Sequence, residues 1–248
     1  LRGTLLNLAV SVYDAILSAK VLNSYDKVIA IARWEVPELE ALGCRKEKIV
    51  YIPNGIPEEF TKSKYKFRNK KKKVILFLGR IAPIKNIELL LSAFKSVIDR
   101  GHDVHLRLIG QMEKEYGIQI LGMIKNLKLE KYVDIPGPIY DLKQKILALE
   151  DADIFILPSK REASPQALIE AMALGKIALS SNTAGGREFI EEGKNGFLFD
   201  SEEELVKKLE YTIKSFSRLK RISLRARKDV SGLTWKSLAR KEEQLYTK

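Results

Sequence analysis

From Lys73 onward the sequence alternates short β-rich runs with segments at helical spacing, and that rhythm leaves few folds open. The runs are VILFLG (74–79), VHLRLIG (104–110), YVDIPG (132–137), DIFILPS (153–159), KIALSS (176–181) and GFLF (196–199). Between them, apolar residues recur every three to four positions over about 86–100, 113–127, 140–150, 165–174 and 186–192. Strand and helix in turn predict a parallel sheet with helices on both faces, because a parallel crossover needs a helix to return the chain. Six such strands fit one doubly wound, Rossmann-like α/β domain. Three or more further helices are expected from Ser201 to Lys248.

Residues 1–53 do not join that domain. They read as a helix (about 4–22), a strand (Lys27 to Ile31), a helix (about 34–42) and a strand (Ile49 to Ile52). A parallel strand needs neighbours to satisfy its backbone groups, so this segment is expected to be the remainder of a second sheet. The chain begins at Leu1 rather than Met, and the expectation is an N-terminally incomplete protein. The segment from Gly3 to Tyr13 is uncharged for only 11 residues, against about 20 for a membrane span. Leu5, Leu8, Val12, Ile16 and Leu17 instead fall on one face of an amphipathic helix. No convincing secretory cleavage site follows. One cysteine, Cys44, rules out a disulfide framework and a cysteine zinc site, and two histidines argue against a His-based metal centre. A cytoplasmic chain is expected.

The net charge of +12 is concentrated. Thr61 to Lys73 holds eight basic residues and no acid, and Lys214 to Lys228 holds seven, again with no acid. A solvated loop and helix face would account for both runs. Attraction to anionic lipid head groups or another polyanion is the sharper reading. No RNA-recognition aromatic motif, zinc finger or recognition helix accompanies the charge, so nucleic acid is not expected as a partner.

Two loops carry candidate chemistry. Gly79 ends a predicted buried strand, where doubly wound sheets bind ligands and where a glycine lets a ligand approach the backbone. Arg80 and Lys85 follow it and could match the two charges of a diphosphate. The second loop follows the strand 153–157. Glu162 lies in it, Ser164 could cap the next helix, and Pro165 suits a first helical position. Gln166 and Ala167 would then offer backbone N–H groups to an anion at the positive helix end, with Glu170 in the second turn. Each carboxylate could accept a pair of sugar hydroxyls. Taken singly, these features also read as solvated cations and as acids decorating a helix dipole. Taken together, at one edge of one sheet, they match a nucleotide-diphosphate sugar.

These residues stand in a wider pattern. It includes Tyr25-Asp26-Lys27-Val28-Ile29-Ala30, Ile52-Pro53-Asn54-Gly55, Leu78-Gly79-Arg80 with Lys85-Asn86, and Pro158-Ser159 with the E-x7-E pair Glu162 and Glu170. Gly185-Gly186 with Glu188, Asn195-Gly196, Trp235 and Tyr246 complete it. In this order and spacing the chain resembles the carboxyl-terminal two-thirds of a retaining GT4-family glycosyltransferase of the GT-B fold, glycosyltransferase group 1. The resemblance implies one complete Rossmann-like donor domain (54–230), the remainder of an N-terminal acceptor-side domain (1–53), and a last helix crossing back to it (231–248). It implies that Arg80 and Lys85 bind the diphosphate of a UDP- or GDP-linked hexose and that Glu162 holds hydroxyls of the transferred sugar, these three being the catalytic set. It implies that Glu170 binds the ribose, that the backbone of Gln166 and Ala167 meets the phosphates, and that the base lies near Gly137 to Ile139. No metal or other cofactor is implied. The basic stretches, rather than the resemblance, add the expectation of a glycan or lipid-linked acceptor and of peripheral contact with an anionic membrane.

The chain departs from the family at Ser164, where many members carry an aromatic residue, and at Pro165, where many carry Gly. Pro165 has no N–H, so one phosphate contact is expected to be absent or shifted by a residue. The first domain's glycine-rich loop, histidine and acceptor pocket are not found; His102 and His105 read as core or rim residues. A nucleotide-sugar-binding module that needs a separate acceptor domain is therefore the alternative to a complete hexosyltransferase. Two other enzyme readings fail. Asp151-Ala152-Asp153 spells a metal-binding D-x-D but precedes its strand, on the edge away from ligands. No G-x-G-x-x-G follows any predicted strand, which argues against a dinucleotide-dependent dehydrogenase.

Overall fold

The computed structural model describes Val10 and residues 17–247. It divides into two compact units, one of Leu1–Gly55 with Trp235–Lys248, the other of Ile56–Thr234.

In the first unit, helix α1 (Ala19–Ser24) leads to strand β1 (Val28–Ala30), helix α2 (Glu35–Ala41) and strand β2 (Ile49–Tyr51). β1 and β2 pair in parallel, with Val28 opposite Ile49 and Ala30 opposite Tyr51. Asn23 ties this unit together. Its side-chain nitrogen donates to the carbonyls of Ala19 (2.7 Å) and Gly43 (2.8 Å), and its oxygen accepts from Arg45 N–H at 2.9 Å. Gly43 has φ +84°, and a Cβ there would meet Ala19 Cβ at 2.6 Å, so only glycine fits the turn. Most of the amphipathic helix expected over 4–22, with Leu5, Leu8, Val12 and Ile16, lies outside the described residues. Cys44 is buried and unpaired.

In the second unit the short helix α3 (Glu58–Lys62) precedes β3 (Lys73–Leu78), α4 (Ile87–Asp99), β4 (Val104–Ile109), α5 (Lys114–Asn126), β5 (Val133–Gly137) and α6 (Leu142–Asp151). Then come β6 (Ile154–Leu157), α7 (Gln166–Ala173), β7 (Ile177–Ser181), α8 (Ala184–Phe189), β8 (Phe197–Phe199), α9 (Glu202–Ser215) and α10 (Lys220–Val230). α11 (Trp235–Tyr246) belongs to the first unit. The six strands form one parallel sheet in the order β5-β4-β3-β6-β7-β8. From β3 the chain moves outward one way, and from β6 it moves the other way. Right-handed crossovers therefore place their helices on opposite faces. α4, α5 and α9 pack together, as do α7 and α10. The central strands are buried on both faces: every residue of β6, and Ile75 to Leu78 of β3, is inaccessible or nearly so. That is why their sequences run as continuous apolar stretches rather than alternating.

The order reverses between β3 and β6, and the loops that leave those two strands part there. Such a switch point opens a crevice beyond the carboxyl ends.

Among the described residues, no helix is long and apolar enough to cross a membrane.

Candidate functional site

The carboxyl edge of the sheet begins with three glycines. β3 is followed by Gly79, β4 by Gly110, and β5 ends at Gly137. Gly79 N–H donates to Ile109 O at 2.9 Å, and Gly110 N–H donates to Gly137 O at 3.2 Å. A Cβ on Gly110 would lie 1.8 Å from Gly79 O, so the two backbones can approach this closely only without a side chain. Ile139, two residues past β5, is half-buried against the core.

Beyond Gly79 the loop is held on both sides. Ile81 N–H donates to Gln111 O at 2.8 Å and Ile81 O accepts from Glu113 N–H at 3.0 Å, fixing it to the loop after β4. Lys160 N–H donates to Ile84 O at 2.8 Å, fixing it to the loop after β6. A 3-10 turn, Pro83–Lys85, then meets Asn86 in the left-handed conformation (φ 53°), which turns the chain into α4. Tyr116 of α5 completes the junction. Its hydroxyl accepts from Ile87 N–H at 2.9 Å and donates to the Glu88 carboxylate. Burial first, and then the bond to Glu88, push the Tyr116 hydroxyl well above its usual range.

Lys85 emerges from this turn directly onto Glu162, with Nζ 2.5 Å from Oε1. The same carboxylate oxygen accepts from Ser159 Oγ at 2.6 Å. A cation from the β3 loop and a carboxylate from the β6 loop, 77 positions apart, thus meet across the switch point. Both side chains are mostly shielded, at 21% and 11% exposure, where a charge pair interacts more strongly than at the open surface. Glu162 is also held by its backbone, since Gly185 N–H donates to Glu162 O at 2.9 Å. A Cβ on Gly185 would lie 2.8 Å from that carbonyl, and one on Gly186 would lie 2.5 Å from Ser181 O. Thr183 caps α8 by accepting from Gly186 N–H at 3.1 Å. The helix expected over 186–192 consequently starts earlier and ends at Phe189, because the two glycines are its first turn rather than the bend before it.

Arg80 behaves differently from Lys85. It is exposed, and its nearest acid is Glu113, at 3.2 Å, rather than Glu162. The structure therefore unites Lys85 and Glu162 directly and leaves Arg80 on the β4 side of the edge. Glu170 lies in α7 and is buried. Its Oε1 accepts from Lys145 Nζ of α6 at 2.6 Å, while Oε2 is buried and has no hydrogen-bond partner among the described residues. Burial raises the Glu170 carboxyl above its usual range, and Lys145 opposes that shift. A buried acceptor without a donor is costly, and a ligand hydroxyl would satisfy it.

At the start of α7 the sequence expectation is off by one residue. Pro165, not Ser164, is the N-cap, and no side chain caps the helix. The Ser164 hydroxyl is buried, again with no hydrogen-bond partner among the described residues. Helical bonds begin with Leu168 and Ile169 N–H, both to Pro165 O. Gln166 and Ala167 thus occupy the first turn, where N–H groups point out of a helix end. Beside this region, Asn86, Ser159, Lys160, Ser181, Asn182, Thr183 and Asp200 line a polar concavity of about 200 Å³. Tyr116 and Lys145 are site residues that sequence reasoning missed, and neither carried a signal; Ser159 was read only as part of the Pro158-Ser159 pattern, without its role toward Glu162.

The remaining candidates sit elsewhere. Asp153 stands at the amino end of β6, and its carboxylate accepts from Val74 N–H at 2.9 Å. Asp151 is held by Lys70 and Arg107, both at 2.7 Å. His102 bonds Glu210 at 3.0 Å and His105 bonds Asp134 at 2.7 Å, each at the rim of the sheet.

Known proteins resemble this chain in sequence and in fold. Residues 39–229 match the family described as Glycosyl transferases group 1. The chain is 28% identical over 177 residues to the capsular polysaccharide biosynthesis glycosyltransferase CapM of Staphylococcus aureus, covering 66% of this chain and 44% of that protein. It is 28% identical over 204 residues to the phosphatidyl-myo-inositol mannosyltransferase of Mycobacterium leprae, covering 79% and 51%. Among solved structures, Anabaena HepE in complex with UDP and glucose superimposes with a TM-score of 0.78 at 21% identity, over 93% of this chain and 68% of that one. The chain spans about half the length of the curated relatives it matches.

Proposed function

The chain belongs to the glycosyl transferases group 1, a family of GT-B fold, and from that premise we propose that it takes part in a retaining transfer of a hexose from a nucleotide-diphosphate sugar to an acceptor hydroxyl. The single observation that supports this most is the Lys85–Glu162 contact of 2.5 Å at the switch point. It puts a cation for the leaving diphosphate beside a carboxylate for the sugar. In the proposed step the bond from the anomeric carbon to the β-phosphate oxygen breaks, and the acceptor oxygen bonds that carbon on the same face. The acceptor proton passes to the departing phosphate oxygen. Lys85 and Arg80 stabilise the charge that grows on the nucleoside diphosphate, a term that exists mainly in the transition state. These two cations supply what a metal ion would otherwise supply, so the proposal includes no metal.

Glu162, oriented by Ser159 and by Gly185 N–H, holds the hexose hydroxyls. Glu170 receives ribose hydroxyls on its unsatisfied Oε2, the first turn at Gln166 and Ala167 faces the phosphates, and Gly137 to Ile139 border the base. The donor is UDP- or GDP-linked, the acceptor is a glycan or a lipid-linked molecule, and the chain meets an anionic membrane peripherally. HepE, solved with UDP and glucose, and the mannosyltransferase whose name includes phosphatidyl-myo-inositol support these choices.

The alternative is a nucleotide-sugar-binding module that is not catalytically competent without a separate acceptor domain. Calorimetry with UDP, GDP and their sugars, followed by product analysis with glycan and lipid-linked acceptors, separates the two. Binding with turnover supports the transferase, and binding without turnover supports the module. No nucleotide binding would overturn both.

A further inference from the structure

The seven basic residues between Lys214 and Lys228 fall into a pattern once folded. α10 buries Ser223, Ala226 and Val230, while Arg221, Leu224, Arg225 and Lys228 recur at helical spacing on the exposed side. The turn at Gly193 and Lys194 borders that stripe. Together with Ile222 these residues line an open groove of about 520 Å³. Its chemistry is twofold: four cations surround Ile222 and Leu224, the latter 45% exposed. Arg225 is answered by Asp229 at 2.7 Å, and Lys194 is answered by Glu191. Arg221 and Lys228 have no acidic partner among the described residues.

The other acid-free run is drawn to the same helix. Tyr65 Oη lies 3.0 Å from Ser223 Oγ, the Phe67 ring stacks on Phe216 at 4.8 Å, and Arg227 donates to Thr61 O at 2.9 Å. The segment from Thr61 to Phe67 therefore lies against the side of α10 that carries the buried Ser223.

We propose that this outer face of α10, with the Gly193–Lys194 turn, is the surface by which the chain docks on an anionic lipid bilayer; the inference rests on the peripheral-membrane part of the function proposed above and gives it a location. Arg221 and Lys228 meet lipid phosphates, and Leu224 enters the head-group boundary between them. The apolar centre of the groove selects a bilayer over a nucleic acid, whose backbone offers nothing to Leu224. No aromatic side chain lines the groove on which a base could stack.

Sedimentation with vesicles of phosphatidylglycerol and phosphatidylcholine, against phosphatidylcholine alone, tests this. The unaltered chain should bind the anionic vesicles and lose binding steeply as salt rises. At about fivefold per charge near such a surface, the double variant Arg221→Glu, Lys228→Glu should bind about 100-fold more weakly or worse. Leu224→Asn should bind several-fold more weakly with the same salt dependence. The control double variant Lys125→Glu, Lys131→Glu makes the same change in net charge beside β5, at the other end of the sheet, and should lose far less. Equal losses in both double variants would overturn this surface while keeping a membrane contact. No vesicle binding by the unaltered chain would remove the membrane reading itself. Binding to single-stranded RNA in preference to vesicles, indifferent to Leu224→Asn, would replace lipid with nucleic acid.

Discussion

The two edges of the six-stranded sheet hold similar side chains and use them in opposite ways. At the amino edge, Lys73, Lys176, Lys70, Arg107, Asp151 and Asp153 gather around the strand starts. Lys176 Nζ donates to the carbonyls of Glu150 and Ala152, both at 2.8 Å, and Lys73 donates to Asn69 Oδ1 at 2.9 Å. The cavity left there, about 10 Å³, would hold about one water molecule. At the carboxyl edge, Lys85 bonds Glu162, Asn86, Lys160 and Asp200 border a polar concavity of about 200 Å³, and Arg80 is exposed. Charge alone did not distinguish the edges. The difference lies in whether backbone carbonyls absorb the cations, as they do around Lys176, or glycines and a left-handed Asn86 hold the backbone back.

The largest expected effect breaks this contrast directly. Lys85→Ala or Glu162→Ala should lower turnover of the donor by about 100- to 1,000-fold, in line with loss of one transition-state charge contact. Lys70→Ala at the other edge should leave turnover unchanged. Steady-state rates with a common nucleotide sugar would check both, and equal losses at the two edges would dissolve the distinction.

Next comes the buried amine. Burial lowers Lys176 to about 8 from 10.5, with Asp153 and Glu150 opposing. Between those values the unfolded chain binds more protons than the folded one. Stability therefore rises as pH climbs through the window, by about 3 kcal/mol at most, and is lost again as pH falls toward 8. Urea unfolding at pH 7.5 and 10 should show that gain in the unaltered chain and a flatter profile in Lys176→Met.

Tyr116→Phe should be smaller again. It removes the acceptor for Ile87 N–H and the donor to Glu88, at a cost of about 2 kcal/mol in unfolding free energy. Because that junction aims Lys85, the donor KM should also rise several-fold.

Least of all, Glu113→Gln severs an exposed pair and should change stability by less than about 1 kcal/mol. Freed from that acid, Arg80 should bind UDP or GDP slightly more tightly, as calorimetry would show.

The elements of the sheet were legible because the central strands β3 and β6 are nearly continuous apolar runs that end at Gly79 and Pro158, and the observed strands fall within two residues of the runs read from the sequence. Lys85 and Glu162 were legible as members of two loops at one edge. Their contact was not, since it depends on the crossing from β3 to β6. Arg80 shows the limit plainly: its neighbour Glu113 follows β4, and only the pairing of β3 with β4 brings them together. Lys145 was invisible for the same reason, lying 25 positions from Glu170 on another helix. At α7, the serine-proline pair signalled a helix start but not its register. The hydroxyl that would have capped the helix is turned into the interior instead.

Lys85 and Glu162 already satisfy each other, so opposite charges latch the loop after β3 to the loop after β6. A bare phosphate could draw Lys85 away only by leaving Glu162 stranded without a cation. A guest carrying both an anion and vicinal alcohols can replace both halves of the latch at once. On the function proposed above, a sugar nucleotide is thereby favoured over a simple phosphate by the pairing of the two side chains themselves.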